Sequence, residues 1–286
     1  DTAAYAIAGA DIKLGEIDFF GRRFHEVALT TSLRSGATQI ALAGRAVEGT
    51  ATWRGEDKGR LTARLKKLTW PAIDAKSVPQ APRLAAQKVL ELPALDVIVE
   101  DFQFGQKQLG RLELNAIHLK RDWRIERLRF TNADSVLNAD GLWQGWLTQP
   151  RTQLNVQVEV SDIGAALARY GYPPGVRRGT AKIEGHLAWS GGPHDFDYPT
   201  MTGELTIDAA KGQFVKLEPG LGKLLGILSL QALPRRITLD FRDVFSEGFA
   251  FDTITGKMKI DGGIATTDNF RIQGPAARVA MTGEVD

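Results

Sequence analysis

The sequence predicts a mainly β protein whose strands form an antiparallel sheet with one apolar face, interrupted by a few short helices. The first observation is a strict alternation of apolar and polar residues, which is clearest over Gln153–Val160. One-sided alternation is typical of antiparallel sheets with one solvated face, because parallel sheets buried on both faces have continuous apolar runs. The second observation is that glycine-containing turns, such as Ser190–Pro193 and Asp261–Gly263, separate the runs and suit hairpins.

Residues 1–70 are predicted to form an N-terminal β unit. Short apolar runs are separated here by turn sequences such as Arg34–Gly36 and Arg54–Gly59, in which glycine tolerates a positive φ. A meander is the simplest arrangement of such runs. The apolar positions of these runs are Ile12, Leu14, Leu29, Leu33, Ile40, Leu42, Trp53, Leu61 and Leu65.

Residues 71–93 are predicted to be a proline-rich linker that contains a short helix. Prolines at positions 71, 79, 82 and 93 enclose the helix candidate Leu84–Leu92. Proline does not continue a helix and restricts the residue before it, so closely spaced prolines mark a boundary between sheet units.

The alternation resumes over residues 94–286, with two further helices expected near 162–170 and 219–230. Ser161 and Asp162 can cap the first helix, which ends at Gly171 before a proline pair. The second has an apolar stripe. Such a helix could pack on the sheet, or it could contact a membrane or plug the groove. Its stripe consists of Leu221, Leu224, Leu225 and Leu228.

A weak internal repeat places glycine shortly before tryptophan at the end of three runs. The three copies are Ala46–Trp53, Ala139–Trp143 and Ile183–Trp189. Similar units strung in one direction indicate an elongated sheet.

Composition excludes several classes of protein. The 286 residues include 36 Lys and Arg against 34 Asp and Glu, a formal charge of +2, with the signs mixed along the chain, so no nucleic-acid partner is expected. There is no cysteine, which excludes disulfides and thiolate sites. The longest apolar stretch, Leu224–Leu233, is far shorter than the roughly 20 residues that span a bilayer. The start at Asp1, without a signal peptide, indicates a piece of a longer chain.

No catalytic, metal or cofactor site is expected. The four histidines, at positions 25, 118, 186 and 194, lie in no hydrolase or metal motif. The segment His194–Asp197 could offer ligands to a divalent cation, but a polar loop is the preferred interpretation because one loop fixes too few ligands. Asp240 and Asp243 have arginines close by and are more simply surface ion pairs. Gly220–Lys223 lacks the rest of a phosphate-binding loop.

Two segments resemble the AsmA-like family. The specific one runs through Leu217–Arg236 and Asp240–Phe249, and a more degenerate one is Leu92–Gly105 followed by Leu109–Leu112. The resemblance corresponds to the C-terminal region of a much longer protein of the Gram-negative envelope. It implies an elongated, curled β-groove in the periplasm, an inner-membrane anchor elsewhere in the parent chain, and transport of phospholipid between the inner and outer membranes in support of the permeability barrier.

The apolar face is therefore the candidate lipid path. About 30 acyl methylenes at about 0.8 kcal/mol each make unshielded passage through water unfavourable by of order 20 kcal/mol, and a continuous apolar groove removes most of that barrier. The positions expected to line the groove are the inward residues of the alternating runs: Leu112, Leu114, Leu154, Val156, Val158, Val160, Ile183, Leu187, Leu205, Ile207, Ile237, Leu239, Phe241, Met258, Ile260, Val279 and Met281.

Three alternatives stay open at this point. The same residues could fill the core of a closed sandwich, because alternation is satisfied by either arrangement. The chain could be a periplasmic assembly scaffold for outer-membrane biogenesis that binds partners at an exposed strand edge. The six tryptophans could serve a polysaccharide-binding protein, although such residues more often pin strand ends into the core.

Overall fold

The computed structural model describes residues 9–19, 22–71, 92–172, 175–194, 196–215 and 248–285. Fifteen strands account for most of these residues. The strands are β1 Gly9–Phe19, β2 Arg22–Arg34, β3 Ala37–Gly44, β4 Val47–Arg54, β5 Arg60–Trp70, β6 Ala94–Phe104, β7 Lys107–Leu119, β8 Asp122–Thr131, β9 Ser135–Gln144, β10 Arg151–Val160, β11 Val176–Ser190, β12 Thr202–Phe214, β13 Phe249–Asp261, β14 Ile264–Gln273 and β15 Arg278–Val285.

The strands lie in one sheet in the order in which they occur in the sequence, from β1 to β15. The described part of the sheet is not closed, since β1 and β15 stand at opposite ends of this order. Short turns join most sequence neighbours, such as β2 and β3 or β7 and β8, and hairpins place such antiparallel strands side by side. The predicted mainly β fold with one large unclosed sheet is confirmed.

By contact, the chain divides into two compact units. Unit 1 comprises residues 1–132 and 144–146, and unit 2 comprises residues 133–143 and 147–286. The strands on either side of the proline-rich segment, β5 and β6, both belong to unit 1. The boundaries expected at residues 71–93 stay a prediction.

The pair β5 and β6 is parallel, which the alternation did not indicate. The register runs from Arg60 opposite Ala94 to Trp70 opposite Phe104. Parallel neighbours cannot be joined by a tight turn and need a connection of a dozen or more residues. Residues 71–93 provide a connection of that length.

Several strands contain a position where the alternation slips by one residue. In β2, Phe24 and Val27 are both buried, and Glu26 between them has a φ of 53°. In β12, Lys211 has a φ of 56° and separates half-buried Ala210 from buried Gly212. Irregularities of this kind bend a strand and increase its twist. Here they keep apolar side chains on one face although strict period two is lost.

The single α-helix of the described residues, α1 at Ile163–Arg169, belongs to unit 2. The Asp162 carboxylate caps it by accepting a hydrogen bond from the Ala165 amide at 2.9 Å. The sequence predicts a helix near 162–170 from the same capping residue. The helix candidates at 84–92 and 219–230 lie outside the described residues, apart from Leu92. No helix in the described part of the chain is long and apolar enough to cross a membrane.

Candidate functional site

The apolar side chains of unit 2 form straight rows across four strands. The register of β10, β11, β12 and β13 places residues of like character opposite one another. Four successive inward rows result, in which every one of the sixteen described positions is apolar or glycine: Leu154–Leu187–Gly203–Ile260, Val156–Gly185–Leu205–Met258, Val158–Ile183–Ile207–Gly256 and Val160–Ala181–Ala209–Ile254.

The opposite face of the same strands is polar. Its rows are Asn155–His186–Glu204–Lys259, Gln157–Glu184–Thr206–Lys257 and Glu159–Lys182–Asp208–Thr255. Lys182 Nζ lies 2.7 Å from Glu184 Oε1, and this hydrogen bond raises the pKa of the Lys182 ammonium. The two faces therefore differ sharply in polarity, as the alternation predicts.

The candidate groove residues are mostly half-buried. Of the fourteen within the described residues, Leu112, Leu154 and Ile260 are buried. The other eleven are half-buried: Leu114, Val156, Val158, Val160, Ile183, Leu187, Leu205, Ile207, Met258, Val279 and Met281. Ile237, Leu239 and Phe241 lie outside the described residues, as do the stripe residues Leu221, Leu224, Leu225 and Leu228. A dry closed core would bury such aliphatic side chains fully.

Dense aromatic packing bounds the half-buried rows at both strand ends of unit 2. At one end, Phe249, Phe251 and Ile272 are each only 2% exposed and pack with Phe214. At the other end, Trp189 is 1% exposed, and its Nε1 donates a hydrogen bond to the Gly192 carbonyl at 3.1 Å. The half-buried rows thus lie between these two clusters along the strands.

Unit 1 has an apolar face of the same kind that extends over eight strands. Two rows contain sixteen described positions, none of them charged: Ile12–Leu29–Leu42–Gly49–Leu65–Val99–Leu112–Phe130 and Ala10–Thr31–Ile40–Ala51–Ala63–Val97–Leu114–Leu128. Seven strand spacings of about 4.8 Å make each row about 34 Å long.

The list drawn from the sequence starts at Leu112 and so misses most of the unit 1 face. Leu29, Leu42 and Leu65 were recognised as strand residues, but strands with irregular alternation were not assigned to the groove. The register shift between β4 and β5 beside Gly49 gives the reason. Lys66 is an extra residue in β5, so the residues before and after it follow opposite alternation of inward and outward positions. A search that allows one slip per strand would have found them.

The outer face of unit 1 carries paired charges. Arg64 Nη2 lies 2.9 Å from Asp96 Oδ2, and Arg111 Nη1 lies 3.0 Å from Glu100 Oε2. Lys66 donates a hydrogen bond to Glu48, which raises the pKa of the Lys66 ammonium. Exposed pairs of this kind contribute little to stability.

The glycine-before-tryptophan repeat has a structural cause. A Cβ at Gly141 would lie 2.0 Å from the Gln153 carbonyl oxygen, and one at Gly185 would lie 1.9 Å from that of Glu204. Gly49 meets Arg64 O at 2.5 Å in the same way. Neighbouring backbones come so close at these points that only glycine fits.

The residues considered for chemistry do not converge in the described part of the chain. No group of three or more potential metal ligands occurs there. Asp195, Asp240, Asp243 and Gly220–Lys223 lie outside the described residues. Among the tryptophans, Trp143 and Trp189 are buried, whereas Trp53 and Trp146 are exposed at 36% and 39%.

Comparison with known proteins gives the chain a family. A relative from Escherichia coli (strain K12), named "Intermembrane phospholipid transporter YhdP", is 25% identical over 272 residues, which make up 93% of this chain and 21% of the relative. The chain thus spans about a fifth of the length of that protein. No solved structure matches it. The family model described as YhdP protein matches residues 2–286. The relationship indicated by the sequence is therefore confirmed, and the chain belongs to the YhdP protein family.

Proposed function

We propose that this chain is a segment of a non-enzymatic conduit that carries phospholipid between the inner and outer membranes, with acyl chains lying on the apolar rows. The observation that carries the proposal is the set of uncharged, mostly apolar rows in each unit, whose positions in unit 2 are mostly half-buried. The name of the Escherichia coli relative, an intermembrane phospholipid transporter, supports the choice of cargo.

The energetics of lipid transfer require such a surface. A phospholipid has about 30 acyl methylenes, and exposing each to water costs about 0.8 kcal/mol, so its unshielded passage through water meets a barrier of order 20 kcal/mol. Rows of aliphatic side chains replace water along the path. Their dispersion contacts are individually weak, at about 0.1–0.2 kcal/mol per atom pair, so a lipid can slide without a deep trap.

The compartment follows from the same proposal. A path between two membranes places this segment in the periplasm, as part of a protein whose inner-membrane anchor and outer-membrane contact lie in other parts of the parent chain. The alternative of an assembly scaffold is not favoured, since a closed dry core would accompany it, whereas eleven of the candidate residues are half-buried.

In-cell photo-crosslinking at Val156 and Val158 tests the lipid path. The full-length protein would carry a photo-reactive amino acid at one of these inward positions, and covalent phospholipid adducts are expected after irradiation. Both side chains are half-buried in central rows, with Gly185 and Ile183 opposite them on β11. Mass spectrometry of the purified adduct identifies the lipid.

The matched controls are Gln157 and Glu159, which alternate with the two valines on the same strand and lie on the polar face. They are expected to yield little or no lipid adduct because their side chains point away from the rows. Equal lipid capture at Val158 and Gln157 would argue against a one-sided path, and only protein adducts at both valines would refute the conduit.

A further inference from the structure

One end of the unit 1 strands carries exposed apolar side chains. At this end β2 finishes with Leu33 and Arg34, β4 finishes with Trp53 and Arg54, and β5 begins with Arg60. We call these five residues the Trp53 edge. Leu33 is 55% exposed and Trp53 is 36% exposed. Large apolar groups at such exposure are candidates for contact with a ligand when they border a larger apolar surface.

The Trp53 edge is continuous with the apolar face of unit 1. Its inward side chains open a row that runs Leu33–Thr38–Trp53–Leu61–Leu95–Ala116–Ile125. The row containing Ala51 and Ala63 follows two residues further along the strands. An apolar chain laid along the strands can therefore pass from the edge to the interior of the face without meeting a charge.

The same edge carries a net positive charge, since its three arginines and Lys58 outnumber Glu56 and Asp57 in the turn that joins β4 to β5. Arg54 lies directly opposite Arg60 in the antiparallel pair of β4 and β5, and Arg34 ends the neighbouring hairpin. All three are exposed, and because they alternate with Leu33, Trp53 and Leu61 they start from the polar face and must reach the apolar one around the strand ends. Within the described residues, no ion pair involves Arg34, Arg54 or Arg60, in contrast to the paired arginines Arg64 and Arg111 of the outer face.

Like charges directly opposite each other destabilise a strand pair. The Arg54–Arg60 arrangement is therefore unfavourable for folding alone, and such local conflicts concentrate at functional sites. An anion at this edge would relieve the repulsion. Long arginine side chains at a strand end can bend their guanidinium groups around the rim while their stems cover apolar surface.

We propose that the Trp53 edge binds the phosphate of a phospholipid headgroup through Arg34, Arg54 and Arg60, while the acyl chains lie on the rows that begin at Leu33 and Trp53. This inference rests on the proposed conduit and specifies its cargo as a lipid that carries an anionic phosphate. Trp53 suits the boundary between the two parts, because an indole ring has an apolar body and a polar N–H. The headgroup thus stays at the rim, and only the tails enter the face.

Binding of two lipids that differ only in the headgroup tests the proposal. Purified full-length protein is titrated with fluorescent phosphatidylglycerol and with the diacylglycerol that has the same labelled chains. The triple variant R34Q/R54Q/R60Q is expected to bind phosphatidylglycerol about tenfold or more weakly, because cations near an anionic lipid attract its phosphate. Its affinity for diacylglycerol is expected to stay unchanged, and added salt should weaken only the unaltered protein's binding of phosphatidylglycerol.

The control variant R45Q/K257Q/R271Q removes the same charge from exposed positions that do not belong to the Trp53 edge, and it is expected to bind both lipids normally. Unchanged phosphatidylglycerol affinity in the edge variant, or an equal loss in the control, would overturn the headgroup site and leave the conduit standing. An equal loss of affinity for diacylglycerol in the edge variant would show that the arginines act on the fold, which also overturns the headgroup site. Binding of neither lipid by the unaltered protein would refute the conduit itself. Displacement of the lipid by millimolar inorganic phosphate would show a site for free phosphate instead.

Discussion

Replacing Arg169 with glutamine is expected to lower the free energy of unfolding by about 3 kcal/mol, because it leaves a buried carboxylate without its charged partner. The Asp134 side chain is only 6% exposed, and Arg169 donates to it from Nη2 at 2.6 Å and from Nε at 2.9 Å. Ser135 Oγ adds one hydrogen bond at 3.2 Å. Without the guanidinium, that single hydroxyl cannot compensate the desolvated charge.

The loss also has a defined pH dependence. The hydrogen bond from Arg169, above all, holds the pKa of the Asp134 carboxyl below its ordinary value. A group whose folded pKa is lowered contributes stability above its unfolded pKa, and this contribution is lost as the pH falls through the folded pKa. The difference between unaltered protein and R169Q should therefore be largest near neutral pH and shrink in acid. Urea unfolding at about pH 7 and about pH 3 measures it.

The matched control is K182Q, which breaks an exposed pair in the same unit. Lys182 and Glu184 are 49% and 50% exposed, so solvent screens their attraction and the free energy of unfolding should hardly change. A loss in R169Q no larger than that in K182Q would contradict the role assigned to the buried pair. So would a difference that grows as the pH falls.

Period-two alternation predicted the parts of the fold that depend on one strand at a time. The residues Leu154, Val156 and Val158 share the apolar face because side chains alternate along an extended chain, whatever its partners are. Asp162 marked the start of α1 for an equally local reason, since a capping carboxylate needs only the amide three residues on.

Features that depend on pairing could not be predicted in this way. The parallel register of β5 with β6 joins strands that are separated by more than twenty residues, and no local pattern reports such a pairing. The opposition of Arg54 and Arg60 likewise appears only when the hairpin register is known. The interruption of alternation in β12 occurs at Lys211, which has a positive φ. It could not be predicted, because a lysine side chain does not indicate a left-handed backbone conformation.

Replacing Gly185 with alanine is expected to lower the free energy of unfolding by about 1–3 kcal/mol, although alanine normally suits a strand better than glycine. The added Cβ would lie 1.9 Å from the Glu204 carbonyl oxygen and 2.9 Å from Leu205 Cα, both backbone atoms of β12. Backbone cannot rotate away as a side chain can, so β11 and β12 must separate or shift. Urea unfolding of the variant measures the loss.

The control is Gly283→Ala in β15, where a Cβ would meet nothing within 4 Å. That substitution removes unfolded-state freedom without a clash, so it should change stability by less than about 1 kcal/mol and in the favourable direction. Equal effects at the two positions would show that the close approach of β11 and β12 is not a constraint on the fold. Opposite signs would show that the glycine of the repeat is required by the neighbouring backbone of β12.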